Sequence, residues 1–482
     1  MNNGPVHNSP PVPRLSLEHE STPTTDLASI SETVDGVRRA FESGRTRSLE
    51  WRQRQLDGLL RLLDSAGTEL VAALHRDMGK PLPEAHFTDI GATAADIKHI
   101  RRHVGTWMMP RKARMRLQDR PGKGRIQPEP LGVALIIAPW NYPVQLTLGP
   151  LAAALAAGNA AVVKPSEFVP ETSALLGRLL RDHLDPGAVA VVEGGPDVST
   201  TLLEQRFDHI FFTGSTAVGR IVAQAAAKHL TPTVLELGGK SPVIVGPDFN
   251  LDITAKRLAW GKGLNAGQTC IAPDYVLVDR RHKDALVDRL VLAIHEFYGP
   301  DPSTSADLAQ IVNDRHAQRI TKLLANHGGT VACGGEINAD TRKLAPTVIV
   351  DPDTDSALMQ EEIFGSVLPV LAVDDVDEAI TFVNRRPKPL ALYVFTDDDA
   401  VAEHVIDNTS SGGVCVNHVM FHIGPPELPF GGVGDAGHGR YHGQAGFDAL
   451  SNLKPIYVRG VRPDLSFIYP PYTKLKTKIL TR

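Results

Sequence analysis

The sequence predicts an α/β protein with two units, each built on a sheet that helices cover. Three observations predict this class. Short apolar segments alternate with helical segments from residue 131 to about 230, a pattern typical of a parallel sheet. Residues 234–417 mix strand and helix patterns in the same way. The chain has 482 residues and is 42% hydrophobic, which suffices for large cores and rules out a mostly disordered protein.

The region before these units, residues 27–110, is predicted to be helical. Ser31 is expected to cap a first helix, because acidic residues follow it in the first turn. Ser48 is expected to cap a second helix, in which Trp51, Leu56 and other apolar residues recur at helical spacing. The basic segment that follows, residues 111–130, has Pro and Gly punctuation and reads as a solvated loop.

From Leu131 the apolar strands begin. The first, VALIIA at 133–138, is short and wholly apolar, as expected of a strand buried on both faces. Ligands of such sheets bind outside the carboxyl ends of the strands, which points to 139–143, 164–167 and 213–216. The other predicted strands are 160–164, 188–194 and 209–214, and the predicted helices between them are 144–158, 170–184, 197–205 and 218–230.

Three glycine-containing strings are candidates for phosphate loops. GVGDAG at 432–437 matches G-x-G-x-x-G but does not lie between a strand and a helix, so it fails the contextual test. GGKS at 238–241 has Val234 where a P-loop needs glycine. GSTAVG at 214–219 follows a strand and opens a helix, where Ser215 can cap and free N–H groups can face a pyrophosphate. An ordinary capped helix is an equally good interpretation of that string alone.

Charge and cysteine content narrow the functional classes. A net charge of −5 gives no reason to expect nucleic acid as a partner. Three cysteines cannot staple a chain of this size, so a reduced, cytoplasmic setting is expected. No stretch is apolar and long enough to span a membrane. No cluster has metal-ligand spacing, since the pair His418 and His422 lacks a third ligand.

Among the thiols, Cys270 is the candidate nucleophile. It follows small polar residues in NAGQTCIAP, at a loop-to-strand junction that can leave the thiol partly exposed. The local sequence alone leaves a reactive and an inert thiol equally open. Cys333 and Cys415 lie in strand-like contexts and are expected to be buried and inert.

Seven strings occur in an order that resembles the aldehyde dehydrogenase superfamily over about residues 30–460. The resemblance is to its class 3, fatty-aldehyde and coniferyl-aldehyde branch, through RPKPLALY (386–393), GRYHG (439–443) and YPPY (469–472). The seven strings are PWNYP (139–143), KPSE (164–167), FTGST (212–216), LELGGKSP (235–242), GQTC (267–270), EEIFG (361–365) and LPFGGVG (428–434).

The resemblance implies a fold, a reaction and the residues that carry it. The fold is a Rossmann-type cofactor domain, an α/β catalytic domain and a small β oligomerisation element. Cys270 attacks the aldehyde, while Asn141 and the Cys270 N–H stabilise the oxyanion. Hydride transfer to the cofactor leaves a thioester on Cys270, which water hydrolyses with Glu236 as base. Two other readings are a CoA-acylating relative, against which Glu236 argues, and a catalytically silent structural protein.

The resemblance also implies the ligand contacts. Glu167 should accept from a free ribose 2′-hydroxyl and favour NAD, while the nearby Lys164 leaves NADP possible. The implied cofactor-binding residues are Trp140, Lys164, Glu167, Gly214, Ser215, Thr216, Gly219, Leu237, Gly238, Glu362 and Phe364. The implied apolar walls of the substrate pocket are Tyr142, Met420, Phe421 and Ile423. Ser366 replaces the proline usual after EEIFG, and His418 replaces a common aspartate.

The expected organisation follows from the same resemblance. Residues 1–25 are a disordered arm, 26–233 the NAD(P)-binding domain, with 111–130 contributing to the oligomerisation element, and 234–417 the catalytic domain. Residues 418–482 return to the cofactor domain and add an oligomerisation strand and a tail. A homodimer is expected, with a small aldehyde as substrate and no membrane anchor.

Overall fold

The computed structural model describes residues 24–462 and 464–481, so most of the predicted N-terminal arm lies outside the described residues. The α-helices are α1 (Ile30–Glu42), α2 (Leu49–Met78), α3 (Leu82–Ala85), α4 (Ala92–Trp107), α5 (Gln145–Ala157), α6 (Pro170–His183), α7 (Pro196–Glu204), α8 (Thr216–Ala227), α9 (Leu251–Gly263), α10 (Lys283–Tyr298), α11 (Asp314–Ala325), α12 (Ala357–Gln360), α13 (Val376–Asn384), α14 (Asp399–Asn408), α15 (Gly443–Ala449) and α16 (Lys474–Leu480). A π-helical segment, His86–Gly91, joins α3 to α4.

The strands of the described chain form three sheets. They are β1 (Arg111–Ala113), β2 (Lys123–Pro130), β3 (Val133–Ile137), β4 (Ala160–Lys164), β5 (Val189–Val191), β6 (His209–Thr213), β7 (Thr233–Glu236), β8 (Pro242–Val245), β9 (Tyr275–Asp279), β10 (Thr330–Cys333), β11 (Thr347–Val350), β12 (Val367–Val373), β13 (Ala391–Phe395), β14 (Gly413–Val416), β15 (Gly437–His438) and β16 (Ser451–Val458). Short 3-10 turns are Leu27–Ser29, Leu117–Asp119, Leu264–Gly267, Pro302–Thr304, Phe421–Ile423, Gly434–Ala436 and Ser466–Ile468.

The first sheet has the order β15-β7-β6-β3-β4-β5, parallel except for β15 at the edge. Every residue of β3, β4 and β6 is buried, which confirms the prediction of strands covered on both faces. Helix α5 is buried almost all round and ends at Gly158, whose φ of 89° favours glycine. The α/β prediction is therefore confirmed for this unit.

The second sheet has the order β10-β11-β12-β9-β8-β13-β14, with β10 antiparallel at one edge and the others parallel. The expected division at 233/234 falls inside β7, which pairs with β6 of the first sheet. The chain crosses to the second sheet between Glu236 and Pro242. The LELGGKSP string therefore runs between the two sheets.

The third sheet, β1-β2-β16, corrects the reading of 111–130 as a loop. Strand β2 pairs with β16 along its whole length, from Lys123 opposite Val458 to Pro130 opposite Ser451. The charged, Gly- and Pro-containing sequence of β2 hides this strand, because its partner is more than 300 residues away along the chain. Pairing of that kind leaves no local signal.

The two predicted helix caps differ in outcome. Ser48 caps α2, accepting the Trp51 N–H at 3.1 Å, as predicted. Ser31 does not cap α1, because that helix begins one residue earlier, at Ile30. A 3-10 turn capped by Asp26 precedes it and supplies the helix start. Within the described chain, no helix is long and apolar enough to cross a membrane.

Candidate active site

Cys270 follows a left-handed turn that fixes its backbone. Asn265, Ala266 and Gly267 have φ values of 51°, 52° and 72° in succession. A Cβ at Gly267 would lie 2.4 Å from the Gly365 carbonyl oxygen, so only glycine fits there. The GQTC string therefore packs directly against the EEIFG string, although a hundred residues separate them.

The amide of Gln268 holds this turn in place. Its Nε2 donates to the Gln310 carbonyl at 2.9 Å and its Oε1 accepts the Val312 N–H at 2.9 Å. The Tyr393 hydroxyl donates to the carbonyl of Ile271, on the other side of Cys270. The backbone on both sides of Cys270 is thus anchored, which gives the thiol a fixed position.

The Cys270 thiol is free and half-buried. Burial raises the pKa of Cys270 to about 12, and the negative charges of Glu362 and Glu236 add to this effect. The other two thiols are free as well and lie in β10 and β14. Burial also raises the pKa values of Cys333 and Cys415. Without a ligand, none of the three cysteines is primed as a thiolate.

Glu236 ends β7 and is 4% exposed. Neither of its carboxylate oxygens has a hydrogen-bond partner. Burial raises its pKa well above the usual glutamate value, and the positive charge of Arg440 opposes the shift. Burial raises the pKa of Tyr441, which lines the cleft that Cys270 also lines, and the charges of Glu236 and Cys270 add to this effect. An unpaired buried carboxylate costs stability, which is typical of a functional group.

Asn141 lies against the Cys270 turn. Its side-chain Nδ2 donates to the Gln268 carbonyl at 3.1 Å, two residues before the thiol. Its own carbonyl accepts from Asn265 Nδ2 at 2.9 Å and from Lys80 Nζ at 3.3 Å. Since a carboxamide has two N–H groups, one remains for a ligand. Asn141 therefore packs against the backbone turn that leads to Cys270.

A cleft of about 1750 Å³ opens over Cys270. The four residues expected to form the substrate pocket all line it, namely Tyr142, Met420, Phe421 and Ile423. The Tyr142 hydroxyl pairs with the Thr269 hydroxyl at 2.7 Å. Other apolar walls come from elements the sequence did not single out, including Leu60, Leu63, Val71, Phe87, Ile90 and Trp260.

The residues expected to hold the cofactor's phosphates and ribose surround the start of α8. The Ser215 hydroxyl caps this helix by accepting the Val218 N–H at 3.4 Å. The Gly214 N–H is bound to the Glu236 carbonyl at 3.0 Å, while the Thr216 hydroxyl donates to the Asp435 carbonyl at 3.2 Å. A Cβ at Gly219 would lie 2.5 Å from Leu237, so α8 packs closely on that side chain.

Two carboxylates flank this helix start. At the carboxyl end of β4, Lys164 and Glu167 form an ion pair of 2.7 Å. Glu362 keeps one buried carboxylate oxygen without a partner, and a Cβ at Gly238 would lie 2.0 Å from the other. Burial, with the charge of Asp274, raises the pKa of Glu362 to about 8. A helix N-terminus, a glycine cradle and free carboxylate oxygens fit a dinucleotide with ribose hydroxyls.

Trp140 and Phe364, which are also expected to contact the cofactor, lie against each other. Their rings meet edge to face with centroids 5.4 Å apart, and Trp140 also contacts the His316 ring at 5.2 Å. Trp140 does not line the cleft over Cys270. Phe364 has a φ of 50°, which follows from the tight turn of the EEIFG loop.

Sequence reasoning missed the residues that hold this loop. Lys240 Nζ donates to the Glu361 carbonyl at 2.7 Å and to Asp274 at 2.6 Å. Arg319 donates to the Glu362 carbonyl at 3.0 Å. The lysine of the GGKS string thus anchors the EEIFG loop, and no local pattern indicates these long-range bonds.

Ser366, which replaces the usual proline, is fully buried. Its hydroxyl donates to the Leu344 carbonyl at 3.0 Å, and its carbonyl accepts the Thr347 N–H at 2.8 Å. The hydroxyl therefore anchors the end of the loop where a proline ring would otherwise stiffen it.

The histidines near the cleft are not arranged as metal ligands. His418 packs on Phe421 with ring centroids 4.1 Å apart. Both ring nitrogens of His422 are buried without a partner, and burial lowers its pKa to about 4. Over residues 24–462 and 464–481, no group of three or more His, Cys, Asp and Glu side chains could hold a metal ion.

Comparisons with known proteins identify the family to which this chain belongs. A sequence profile described as "Aldehyde dehydrogenase family" matches residues 13–456. The chain belongs to the aldehyde dehydrogenase family. It is an oxidoreductase that oxidises aldehydes with NAD or NADP.

Individual aldehyde dehydrogenases resemble this one over nearly their whole length. It is 46% identical to aldehyde dehydrogenase family 3 member A2 of Mus musculus, over 91% of each chain. It is 44% identical to the dimeric NADP-preferring aldehyde dehydrogenase of Canis lupus familiaris, over 92% of this chain and 98% of the relative. A substrate-bound structure of Staphylococcus aureus AldH superposes with a TM-score of 0.91, at 41% identity over 94% and 98% of the two chains.

Proposed function

We propose that this aldehyde dehydrogenase converts medium- to long-chain aliphatic or aromatic aldehydes to free carboxylic acids through a thioester on Cys270. The observation that carries the proposal is the buried Glu236 side chain, whose two carboxylate oxygens have no hydrogen-bond partner. Among the described residues, no hydrogen bond or ion pair gives this carboxylate a structural role. A role as base is available to it, because the hydrolysis of a thioester needs one.

In the first step, Cys270 Sγ bonds to the aldehyde carbon and the carbonyl oxygen becomes an oxyanion. The free N–H of the Asn141 carboxamide and the backbone N–H of Cys270 stabilise that charge. A single donor of this kind typically contributes about 3 to 4 kcal/mol to the transition state. When bound, NAD(P)⁺ would supply a positive charge that favours the thiolate and a ring carbon that accepts the hydride. As the oxyanion re-forms the C=O bond, the C–H bond of the former aldehyde carbon breaks, the hydride leaves, and the thioester on Cys270 remains.

In the second step, the thioester on Cys270 is hydrolysed. Glu236 takes a proton from water, the hydroxide oxygen bonds to the acyl carbon, and the C–S bond breaks to release the acid and the thiolate. The CoA-acylating alternative would have CoA replace water. An unpartnered buried carboxylate such as Glu236 has no task in that reaction.

The substrate class rests on the cleft. Its volume of about 1750 Å³ exceeds what a small aldehyde needs, and Tyr142, Met420, Phe421 and Ile423 give it apolar walls. The direct test is NAD(P)H formation with acetaldehyde, hexanal, decanal, benzaldehyde and coniferaldehyde. We expect kcat/KM to rise from acetaldehyde to decanal. Equal or falling values along that series would reject the proposed substrate class.

For the cofactor, we propose that Glu167 receives the ribose 2′-hydroxyl of NAD. Its ion pair with Lys164 weakens the repulsion of a 2′-phosphate, which keeps NADP usable. The same pair of cofactors is implied by the name of the dog relative, which calls that enzyme NADP-preferring.

Replacing Glu167 with glutamine is expected to raise the NADP/NAD ratio of kcat/KM about tenfold, because a negative charge leaves the 2′-phosphate site. Steady-state kinetics with both cofactors measure the ratio. The matched control is Glu171→Gln, an exposed carboxylate at the start of α6 that pairs with Arg76. An unchanged ratio in Glu167→Gln would remove Glu167 from the ribose site.

The raised pKa of Cys270 predicts slow alkylation of the cofactor-free protein. Because its pKa is about 12 against 9 for an ordinary thiol, the thiolate fraction at pH 7 is about 1,000-fold lower. The rate with iodoacetamide should rise about tenfold per pH unit from 7 to 11, since the thiol loses its proton only as pH approaches that pKa. Labelling of Cys270→Ala gives the background from Cys333 and Cys415. A rate that levels off below pH 9 would contradict this pKa.

We further propose a homodimer that assembles through the third sheet. Strand β16 exposes Leu453, Tyr457 and Val458, apolar side chains that an interface would cover. In this organisation residues 26–236 with the returning segment form the cofactor domain, and β8 to β14 form the catalytic domain. We expect the protein to act in a reducing compartment, because the chemistry needs Cys270 as a free thiol. Sedimentation of wild type and Tyr457→Asp tests the interface.

A further inference from the structure

A buried ion pair lies beneath the loop that carries Asn141. Lys80 Nζ and Asp89 Oδ2 are 2.8 Å apart, and both side chains have no solvent exposure. The two residues are the first and last of a ten-residue segment, 80–89, which lies between α2 and α4. No motif of the sequence singled out this segment. Placing two charges there costs desolvation energy that the pair alone does not recover well. Stability is therefore a weak explanation for the pair.

The two residues of the ion pair contact the Asn141 loop at different points. Lys80 Nζ donates to the Asn141 carbonyl at 3.3 Å and lies 4.1 Å from the centre of the Tyr142 ring. Asp89 Oδ1 accepts the N–H groups of Val144 and Gln145, at 3.2 and 3.4 Å, where α5 begins. The segment 141–145 thus cannot turn without breaking a contact to a buried charge.

The same segment also holds the turn that leads to Cys270. Glu84 Oε1 accepts the Asn265 N–H at 2.7 Å. The Asn265 side chain in turn donates to the carbonyls of Asn141, at 2.9 Å, and Gln268, at 3.1 Å. Segment 80–89 is therefore the common support of the Asn141 backbone and of the backbone before Cys270.

We propose that Lys80, paired with Asp89, is a positioning residue that sets the Asn141 carboxamide for the oxyanion. This inference rests on the proposed role of Asn141. Lys80 does not touch the substrate. It acts on the rate only through Asn141, because its bond to the Asn141 carbonyl fixes the backbone from which the carboxamide extends. The consequence is specific: once the Asn141 carboxamide is absent, Lys80 has nothing left to position.

A mutant cycle tests this consequence. The variants are Asn141→Ala, Lys80→Met and the double variant, each assayed for kcat/KM with decanal and for cofactor affinity. We expect a loss of about 100- to 1,000-fold for Asn141→Ala and about 10- to 100-fold for Lys80→Met. The double variant should match Asn141→Ala within about threefold. Cofactor affinity should stay unchanged in all three.

The matched control is Arg52→Met. Arg52 is also a buried cation bound to a backbone carbonyl, donating to Ala156 at 2.9 Å, but it lies at the opposite end of α5. Arg52→Met should lower the melting temperature and keep kcat/KM within about twofold of the wild-type value. If Lys80→Met does not fold, Asp89→Asn replaces it in the cycle, since the amide oxygen can still accept from Val144.

The outcomes separate the two proposals. An unimpaired Asn141→Ala would reject Asn141 as the oxyanion donor and with it the premise. An impaired Asn141→Ala whose losses multiply with those of Lys80→Met would retain Asn141 and overturn the positioning role. An unimpaired Lys80→Met would overturn it as well. Only a double variant no worse than Asn141→Ala supports the inference.

Discussion

Replacing Cys270 with alanine is expected to lower aldehyde oxidation by about 10,000-fold or more and to leave cofactor binding unchanged. The substitution removes the sulfur atom that bonds to the aldehyde carbon, so both chemical steps lose their covalent intermediate. NADH formation with decanal measures the first effect, and fluorescence titration with NADH measures the second. Alanine is small and the site lies at a cleft, so the fold should survive.

The other two thiols provide the matched controls. Cys333→Ala and Cys415→Ala change half-buried thiols in β10 and β14, away from the cleft, and should keep activity within about twofold. Turnover retained by Cys270→Ala would sink the assignment of the nucleophile. Turnover lost in either control would point to a different thiol.

Replacing Glu236 with glutamine is expected to allow one burst of NADH per site, followed by a stall. The thiol, the Asn141 carboxamide and the cofactor site stay intact, so the thioester forms at a rate similar to that of wild type. Hydrolysis then lacks its base and should slow by about 100- to 10,000-fold. Stopped-flow absorbance at the NADH band gives the burst amplitude and the steady rate in one trace.

A comparable carboxylate away from the site controls for burial alone. Glu193 also has a raised pKa caused by burial and an unpartnered oxygen, beyond β5. Glu193→Gln should turn over normally at saturating cofactor. Unchanged steady turnover in Glu236→Gln would reject Glu236 as the base. Restoration of turnover by added CoA would favour the acyl-transfer alternative.

The pH dependence of the hydrolysis follows from the raised pKa of Glu236. A base must be unprotonated to accept a proton, and burial favours its protonated form. Thioester hydrolysis should therefore slow as pH falls through that raised pKa. Hydrolysis measured after a single burst should reach its plateau at a higher pH than an ordinary exposed glutamate would give.

Much of the fold could be predicted from local sequence, for physical reasons. The strands at 133–137, 160–164 and 209–213 are buried on both faces, so their apolar composition marks them directly. Gly158 marks the end of α5 because its left-handed conformation favours glycine, and Ser48 marks the start of α2 because its hydroxyl caps that helix. Strand β2 was missed because pairing with β16 overrides its charged, Gly- and Pro-containing sequence.

The candidate site divides in the same way. Cys270, Asn141 and Glu236 lie in short strings through which the sequence resembles a known family, and that resemblance singled them out. The residues that support them were not predicted, because Lys80, Asp89 and the Lys240–Asp274 pair act across long sequence separations. A buried lysine carries no local signal that separates it from a solvated one. Only the packed structure shows which charges are buried.

The most direct measurement is the intact mass of Glu236→Gln, quenched in acid after one burst with decanal and NAD. The account predicts one added decanoyl group per chain, mapped by peptide mass to Cys270 and absent when NAD is omitted. The mass should return to that of the free protein after hydroxylamine treatment, which cleaves thioesters. An unmodified chain after a full NADH burst, or an acyl group on Cys333 or Cys415, would contradict the account.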